Sequence, residues 1–222
     1  MHRMCRSCGS PLVLQPDHCG LICPECSPAL EAQFLDSDVC LVCGAPRIGG
    51  YDVCRRCRES PPAFESHRSV FLYHSLPAAL IVDFKGRGHR QLSEYFAAVL
   101  ADSIPPCDLL VPVPFRPESI RRRPFDPVSV VVKQLSRRCG IPWVQAMYRK
   151  KGRSQKSLNQ EDRARNMAGA VGVRNSMGER LSGKIVCLVD DVFTTGATVH
   201  ACAGVLLASG TRTVHARTIA MD

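Results

Sequence analysis

The stretch "VCLVDDVFTTGATV", residues 186–199, predicts a buried strand that ends in two carboxylates, followed by a loop that opens a helix. Its first four residues are apolar, and Asp190 and Asp191 follow them directly. Neighbouring side chains on a regular strand point to opposite faces of the sheet. Both carboxylates can reach the rim of one cleft where the backbone turns, so we expect the strand to end here.

The residues after the carboxylates are suited to bind an anion. Segment 194–198, "TTGAT", offers three hydroxyls, backbone N–H groups and a glycine at the start of a helix. Adjacent carboxylates repel each other and need hydroxyl donors or a cation nearby, such as a sugar diol or a hydrated magnesium ion. Two aspartates alone are also typical of a helix cap beside a solvated neighbour. The whole combination is more specific and predicts a ribose 5-phosphate site.

Apolar runs and helical patterns alternate along most of the remaining chain. Strands are predicted at 70–74, 108–114, 184–190 and 211–221, and helices at 76–88, 91–104, 128–140 and 197–210. The β-branched run "VSVVV" at 128–132 is also compatible with a strand. Alternation with fully apolar strands predicts an α/β fold with a parallel sheet covered on both faces. Ligands of such sheets bind outside the carboxyl ends of the strands, where the two aspartates fall.

The N-terminal quarter of the chain carries a cysteine repeat. Nine of the thirteen cysteines lie in the first 57 residues, and eight of them form four C-x-x-C pairs. "CRSCGSP" at residue 5 returns as "CLVCGAP" at residue 40, and each is followed by a plainer pair, "CPEC" and "CRRC". Two thiolates at this spacing can bind one ion, and a second pair completes a tetrahedron.

We expect two sequential four-thiolate sites, although a cross-braced arrangement would use the same ligands. Zinc is the favoured ion, since tetrahedral thiolate sites select zinc or iron, and sites with four protein ligands are structural. A module this short has too little core to fold alone, so metal binding would supply the missing stability. The expected ligands are Cys5, Cys8, Cys23 and Cys26 for one zinc ion, and Cys40, Cys43, Cys54 and Cys57 for the other.

Composition predicts a cytoplasmic protein with one sizeable domain and a small module. The chain has 222 residues, 45% of them hydrophobic, and no apolar run of membrane-spanning length, so no membrane insertion is expected. Cytoplasmic thiols stay reduced, which favours metal ligation over disulfides. The paired prolines of "RESPPAF" at 58–64 predict a linker. We expect a cysteine module at 1–59, a linker at 60–67 and the larger domain at 68–222.

Positive charge is concentrated in one block. The formal net charge is +9, and residues 116–165 hold fourteen Lys and Arg against four Asp and Glu. Such a block is typical of surfaces that bind phosphorylated ligands or nucleic acid, and equally of a solvated face.

Stretch 186–199 resembles the phosphoribosyl pyrophosphate loop of the type I phosphoribosyltransferases. With its cysteine-rich N-terminus, the whole chain resembles the ComF/GntX family, whose members include competence proteins needed for DNA uptake. Matching segments are "FKGRG" at 84–88, "VPVPFRP" at 111–117 and "SLNQEDRARNMAGAV" at 157–171. The resemblance implies a type I phosphoribosyltransferase-like parallel sheet flanked by helices, with a small N-terminal zinc-ribbon module.

The resemblance also implies roles for individual residues. Asp190 and Asp191 would hold the ribose hydroxyls, directly or through magnesium. The 5-phosphate of phosphoribosyl pyrophosphate would lie against Thr194, Thr195, Gly196, Ala197 and Thr198. Candidate contacts to pyrophosphate or substrate are Lys85, Arg87 and Arg116, while Arg163 and Asn166 belong to a lid-like region. Implied partners are single-stranded DNA and a DNA-uptake helicase or other competence proteins.

One segment departs from the family pattern. The family shows R-x-R-G-F-N-Q where this chain has "RRRPFDP", residues 121–127. Pro124 replaces a glycine, Asp126 an asparagine and Pro127 a glutamine. Because proline fixes φ and removes a backbone donor, a stiffer loop is expected here.

Two interpretations of function remain open. In the first, the chain is an enzyme that transfers phosphoribosyl to an acceptor that the sequence does not identify. The oxocarbenium-like transition state needs orientation and charge stabilisation more than acid–base help, so an obvious catalytic base is not required. In the second, a non-enzymatic protein binds single-stranded DNA along the basic block, and the phosphoribosyl site is a sensor or relic.

Overall fold

Strands and helices alternate along the larger part of the chain. The computed structural model describes residues 4–10, 22–31, 34–35, 38–47, 49–86, 88–115, 125–150 and 170–222. The strands are β1 (Ser66–Leu72), β2 (Leu109–Pro112), β3 (Met147–Arg149), β4 (Val171–Val173), β5 (Ile185–Phe193) and β6 (Thr213–Met221). The α-helices are α1 (Ser27–Glu31), α2 (Arg55–Glu59), α3 (Ser75–Gly86), α4 (Leu92–Ala101), α5 (Pro127–Cys139), α6 (Gly178–Leu181) and α7 (Ala197–Ala208).

Four parallel strands form the central sheet, in the order β1-β6-β5-β2. Strand β5 lies between β6 and β2, and Asp190 is opposite Thr218 of β6. Because the strands are parallel, their carboxyl ends meet at one edge of the sheet. β5 therefore carries its two aspartates, and the loop that follows them, to the edge where ligands of such sheets bind.

Helices cover the sheet on both faces. Cys187 and Val189 of β5 enter an apolar cluster with α3, α4 and α5. Val186 and Leu188 enter the other cluster, which contains the buried face of α7. This alternation follows from the period of two along a strand and from burial on both sides of a parallel sheet.

The predicted fold class, a parallel sheet flanked by helices with a small N-terminal cysteine module, is confirmed. The helices α3, α4, α5 and α7 lie where the sequence predicted them, and the four strands of the central sheet overlap the predicted runs, although β1 begins at Ser66 rather than at residue 70. The segment "VSVVV" is helical, with Val128, Val131 and Val132 buried at helical spacing. The antiparallel pair of β3 and β4 was not predicted, because three-residue strands carry too little pattern to be recognised.

The end of β5 also differs from the expectation. The strand was expected to end at Asp190, but β5 continues through Phe193, which pairs with Met221 of β6. Both aspartates therefore lie inside a hydrogen-bonded ladder, near its end. The pairing with β6, a long-range contact, decides where the strand stops.

The cysteine module covers the edge of the sheet at β1. The backbone N–H of His67 donates to the carbonyl of Val42 at 2.6 Å, and that of Leu35 donates to the carbonyl of Val70 at 2.9 Å. An edge strand without such partners would expose a row of unpaired backbone groups. The module thus completes the hydrogen bonding of the sheet as well as its packing.

The chain between the module and the sheet is bound to the larger domain. The backbone N–H of Ala63 donates to Nδ1 of His200 on α7 at 3.0 Å, and that of Glu65 to the carbonyl of Val214 at 2.8 Å. β1 begins at Ser66, inside the segment predicted as a linker. The division of the chain into module, linker and larger domain stays a prediction. Within the described ranges, no helix combines the length and apolarity needed to cross a membrane.

The end of the unusual segment "RRRPFDP" starts a helix. Asp126 is the N-cap of α5: its carboxylate accepts from the backbone N–H of Ser129 at 3.2 Å and from the Ser129 hydroxyl at 2.6 Å. Pro127 occupies the first helical turn, where a missing N–H costs nothing. Phe125 packs against Phe84 of α3, with ring centroids 5.6 Å apart. The fold therefore explains both Pro127 and the carboxylate of Asp126. Residues 121–124 lie outside the described ranges.

We predict that Asp126→Ala lowers the free energy of unfolding by about 1 kcal/mol, because the first turn of α5 loses its cap. Asp126→Asn is the matched control, since an amide oxygen also accepts from the Ser129 N–H, and it should retain most of the stability. Urea denaturation of the three proteins measures the difference. Equal stability of the alanine variant and the wild type would contradict the capping role.

Candidate functional site

Asp190 and Asp191 point to opposite sides of the sheet near the end of β5. Oδ2 of Asp191 forms an ion pair with Nζ of Lys85 at 2.8 Å, with each side chain about one-fifth exposed. Lys85 lies in the last turn of α3, on one face of the sheet. Oδ1 of Asp190 accepts the backbone N–H of Asp191 at 2.8 Å. The two carboxylates thus share one strand end while facing different helical layers.

Asp190 is the electrostatically strained member of the pair. Burial raises the pKa of its carboxyl to about 8, and the neighbouring charge of Asp191 acts in the same direction. The positive charges of Lys85 and Arg149 lower this pKa, but by less. A carboxyl in this condition is stabilised in its ionised form by a cation or by hydroxyl donors that approach it.

The loop after β5 turns sharply at Gly196. Its φ of +75° lies in the left-handed region, which favours glycine. A Cβ at this position would lie 2.5 Å from Cζ of Phe193, so the ring beneath the loop also requires a glycine. The side chains of Thr194 and Thr195 are exposed beside the N-terminus of α7. The first N–H groups of a helix have no intrahelical acceptors, so this loop has the donors that an anion requires.

Arg149 belongs to the site although sequence reasoning missed it. It lies at the end of β3, its Nε donates to the carbonyl of Pro114 at 3.0 Å, and its charge acts on Asp190. In the sequence it is one of several cations in the basic block. Its contact with Pro114, which lies just after β2, places it at the carboxyl edge of the central sheet.

The structure brings together part of the predicted site. Asp190, Asp191, Lys85 and the loop residues 194–198 lie at the carboxyl edge of the sheet. Several predicted residues lie outside the described ranges, namely Arg87, Arg116, Arg163 and Asn166. Most of the basic segment 150–165 lies outside them as well.

The eight N-terminal cysteines form two groups with metal-site geometry. The groups are sequential, Cys5, Cys8, Cys23 and Cys26, then Cys40, Cys43, Cys54 and Cys57, and within each group all Sγ atoms lie within 4.8 Å of one another. The Sγ distances are 3.6 Å for Cys8–Cys23 and 3.7 Å for Cys43–Cys54. Four thiolates around one zinc ion, with Zn–S of about 2.3 Å, lie about 3.8 Å apart. The residues therefore fit two structural zinc sites, and the sequential grouping is the one that the structure contains.

The second cysteine group is packed against the loop that follows β5. His67 of β1 donates from Nδ1 to the carbonyl of Cys43 at 2.7 Å. Its ring stacks on Phe193 with centroids 3.9 Å apart, and Phe193 in turn lies under Gly196. Burial lowers the pKa of His67 to about 3, so the ring is neutral and holds a single tautomer. Nothing in the sequence around His67 signals this contact.

The chain is similar to curated proteins over most of its length. It is 28% identical over 222 residues to "DNA utilization protein YhgH" of Escherichia coli (strain K12), covering 95% of this chain and 93% of that protein. It is 25% identical over 210 residues to "Competence protein ComFC" of Bacillus subtilis (strain 168), covering 89% and 82%. No protein-family model matches the chain. These similarities confirm the resemblance that the sequence indicated.

Comparison with solved structures finds partial matches that include a phosphoribosyltransferase. The glutamine phosphoribosylpyrophosphate amidotransferase of B. subtilis, complexed with ADP and GMP, matches 63% of this chain with 16% identity and a TM-score of 0.46. That match spans 30% of the amidotransferase chain. Adenine phosphoribosyltransferase from Thermoanaerobacter pseudethanolicus matches 62% of this chain and 84% of its own, with 15% identity and a TM-score of 0.40.

We predict that Asp190 makes the stability of the ligand-free protein fall as the pH rises from about 5 to 8. The folded protein holds this proton up to a pKa of about 8, whereas the unfolded chain releases it at the ordinary value near 3.8. The proton therefore stabilises the fold at low pH, and this contribution is lost as the pH rises through the folded pKa, at up to about 1.4 kcal/mol per pH unit. Asp190→Asn carries no such proton.

Melting temperatures of wild type and Asp190→Asn across pH 5 to 9 measure this effect. The melting temperature of the variant relative to that of the wild type should rise up to about pH 8 and then level off. Each 1 kcal/mol of unfolding free energy corresponds to about 2–4 °C. Asp102→Asn, which changes an exposed carboxylate after α4, should keep the wild-type slope. Parallel curves for Asp190→Asn and wild type would show that Asp190 titrates at its ordinary pKa.

We also predict two zinc ions per chain. Cys8→Ser should lower the content to about one ion by removing a ligand of the first group, and Cys54→Ser should do the same through the second. Cys139→Ser, outside both groups, should retain two ions. Elemental analysis of the purified proteins gives the counts. Loss of both ions in either single variant would overturn the two independent sites.

Proposed function

We propose that the chain binds phosphoribosyl pyrophosphate with magnesium at the carboxyl edge of its sheet, as a phosphoribosyltransferase-like protein linked to DNA uptake. The observation that best supports this proposal is the pair Asp190 and Asp191 near the end of β5, followed directly by the Gly196 turn and the N-terminus of α7. The names of its relatives, a competence protein and a DNA utilization protein, support the link to DNA.

Each part of the edge has a share in binding. The exposed hydroxyls of Thr194 and Thr195, with the N–H groups at the start of α7, receive the 5-phosphate. The side chains of Asp190 and Asp191 leave β5 on opposite sides but both lie near its end, and each carboxylate would accept from a ribose hydroxyl at this edge of the sheet. When the ligand binds, Asp191 exchanges its 2.8 Å ion pair with Lys85 for these contacts. The Lys85 ammonium is then available for pyrophosphate oxygens.

The residues also fit magnesium. Carboxylate oxygens are the hard ligands that this ion takes, together with water and substrate phosphates. When bound, magnesium supplies charge stabilisation to the leaving pyrophosphate. Asp190 would be held in its ionised form by the ion, which removes the cost of its burial. The two cysteine groups, each with four thiolates, would hold structural zinc ions.

The proposed chemistry places little demand on acid–base groups. Fixing the phosphate at the loop and the ribose at β5 orients the sugar, and the cations at the edge stabilise charge that develops on pyrophosphate. The acceptor would approach from the open side of this edge. The proposal places the protein in the cytoplasm, where cysteine ligands stay reduced.

Binding of single-stranded DNA is the second candidate, favoured by the names of the relatives and by the basic block. Contacts between Lys or Arg and phosphates would be strongly salt-dependent and would show little sequence preference. Oligonucleotide binding that persists at physiological salt supports a DNA-binding surface. Binding that vanishes between low and physiological salt indicates generic attraction to a chain with net charge +9.

We predict that magnesium with phosphoribosyl pyrophosphate raises the melting temperature of the wild type and leaves an Asp190→Asn/Asp191→Asn double variant unshifted. A ligand that binds only the folded state stabilises it by about 2.7 kcal/mol at one hundred times its dissociation constant, which corresponds to roughly 5–10 °C here. Thermal unfolding with and without the ligand measures this shift.

Two controls make the result specific. Asp108→Asn, at the opposite end of the sheet beside Ile185, should shift like the wild type. Magnesium alone should shift neither protein by a comparable amount. A wild type whose melting temperature does not change at millimolar ligand would refute the proposed site. If the melting temperature does rise, an assay for pyrophosphate release in the presence of an acceptor distinguishes transfer from binding.

A further inference from the structure

The second cysteine group touches the loop after β5 through a hydrogen bond as well as through stacked rings. The guanidinium of Arg56 donates from Nη2 to the backbone carbonyl of Thr195. Arg56 lies in α2, between the ligands Cys54 and Cys57. A helix of five residues is too short to be stable alone, so metal binding by Cys54 and Cys57 would fix its position and that of Arg56.

This contact controls the direction of one peptide group. The peptide between Thr195 and Gly196 is planar and trans, so its C=O and N–H point in opposite directions. With the carbonyl of Thr195 held towards Arg56, the N–H of Gly196 is directed away from the cysteine group. The glycine, with φ of +75°, has the conformational freedom to turn this peptide when the carbonyl is not held.

A second contact supports the same loop from below. The carbonyl of Cys43, in the turn between Cys40 and Gly44, accepts a hydrogen bond from His67, and the ring of His67 stacks on Phe193 under Gly196. The same turn lies directly against β1, because a Cβ at Gly44 would lie only 2.8 Å from the carbonyl oxygen of His67. The turn therefore has no room to move towards β1. The loop is therefore held at Thr195 from one side and at Gly196 from the other, by the same cysteine group.

We propose that the second cysteine group positions the phosphate-binding loop, with Arg56 as its positioning residue, so that loss of its metal lowers affinity for the ribose 5-phosphate group. The inference rests on the proposed function and extends it, because it makes ligand affinity depend on the metal and redox state of four thiols. The first group makes no contact of this kind among the described residues.

The chain offers a matched control on the same short helix. Arg55 forms an ion pair with Glu59 at 2.7 Å, and its side chain is 84% exposed. Arg55→Ala therefore removes the same charge from α2 without touching the loop. Arg56→Lys keeps the charge and one donor for the carbonyl of Thr195.

Calorimetric titration with two probes, ribose 5-phosphate and magnesium pyrophosphate, tests the inference. Arg56→Ala should weaken ribose 5-phosphate binding by about five- to ten-fold and change magnesium pyrophosphate binding by less than about two-fold. Arg56→Lys should recover at least about half of the loss in binding free energy, and Arg55→Ala should bind like the wild type. Zinc content and melting temperature should be unchanged in all three, so that a folding defect is recognised.

Removal of metal ligands gives the second arm. Cys54→Ser should weaken ribose 5-phosphate binding at least as much as Arg56→Ala, while Cys8→Ser, in the first group, should retain it. Three outcomes would overturn the inference and leave the proposed function intact. They are an unchanged ribose 5-phosphate affinity in Arg56→Ala, an equal loss of affinity for both probes in that variant, and equal effects of the two cysteine variants on ribose 5-phosphate affinity. Failure of the wild type to bind either probe would sink the proposed function itself.

Discussion

The burial of two neighbouring carboxylates near the end of a strand is the constraint around which this structure is arranged. Burial and the adjacent charge raise the pKa of Asp190 to about 8, and Asp191 is held by a lysine from α3 at 2.8 Å. A carboxylate pair in this position costs stability in the ligand-free protein. The same pair becomes favourable when hydroxyl donors or a divalent cation approach. In the proposed function, the same two side chains therefore determine both stability and ligand binding, and the sheet order places them at the edge where the loop before α7 provides donors for an anion.

The cysteine module is part of this arrangement. Its second group completes the edge of the sheet at β1, accepts a hydrogen bond from His67 at the Cys43 carbonyl, and reaches the loop through Arg56 and through the His67 ring that stacks on Phe193. Zinc in such a site stabilises a segment with little core of its own. Here the stabilised segment contacts the residues that bind the ligand in the proposed function. In the inference drawn above, the second group, although closed and structural, influences the geometry of a loop more than 130 residues further along the chain.

The segment that departs from the family pattern has a structural explanation in its second half. Asp126 caps α5 and Pro127 occupies its first turn, which are the positions where an acceptor side chain and a proline are favoured. Phe125 joins the rings between α3 and α5. The change of an amide to a carboxylate therefore preserves the start of a helix that covers one face of the sheet, and the sheet edge with its aspartates is supported from that face.

The sequence by itself determined the fold class, the elements of the central sheet, the eight cysteines and the loop after β5, because these depend on local periodicity and on residues close together in the chain. Long-range contacts decided that β5 continues to Phe193, where it pairs with β6, and that the charge of Arg149 acts on Asp190. The sequential grouping of the thiolates, which the sequence left open beside a cross-braced one, was decided by the distances between their Sγ atoms. The contacts of Arg56 and His67 with the loop have no local pattern at all. They exist because the packing of the module on β1 brings together groups that are far apart in the chain, and only the tertiary structure carries that information.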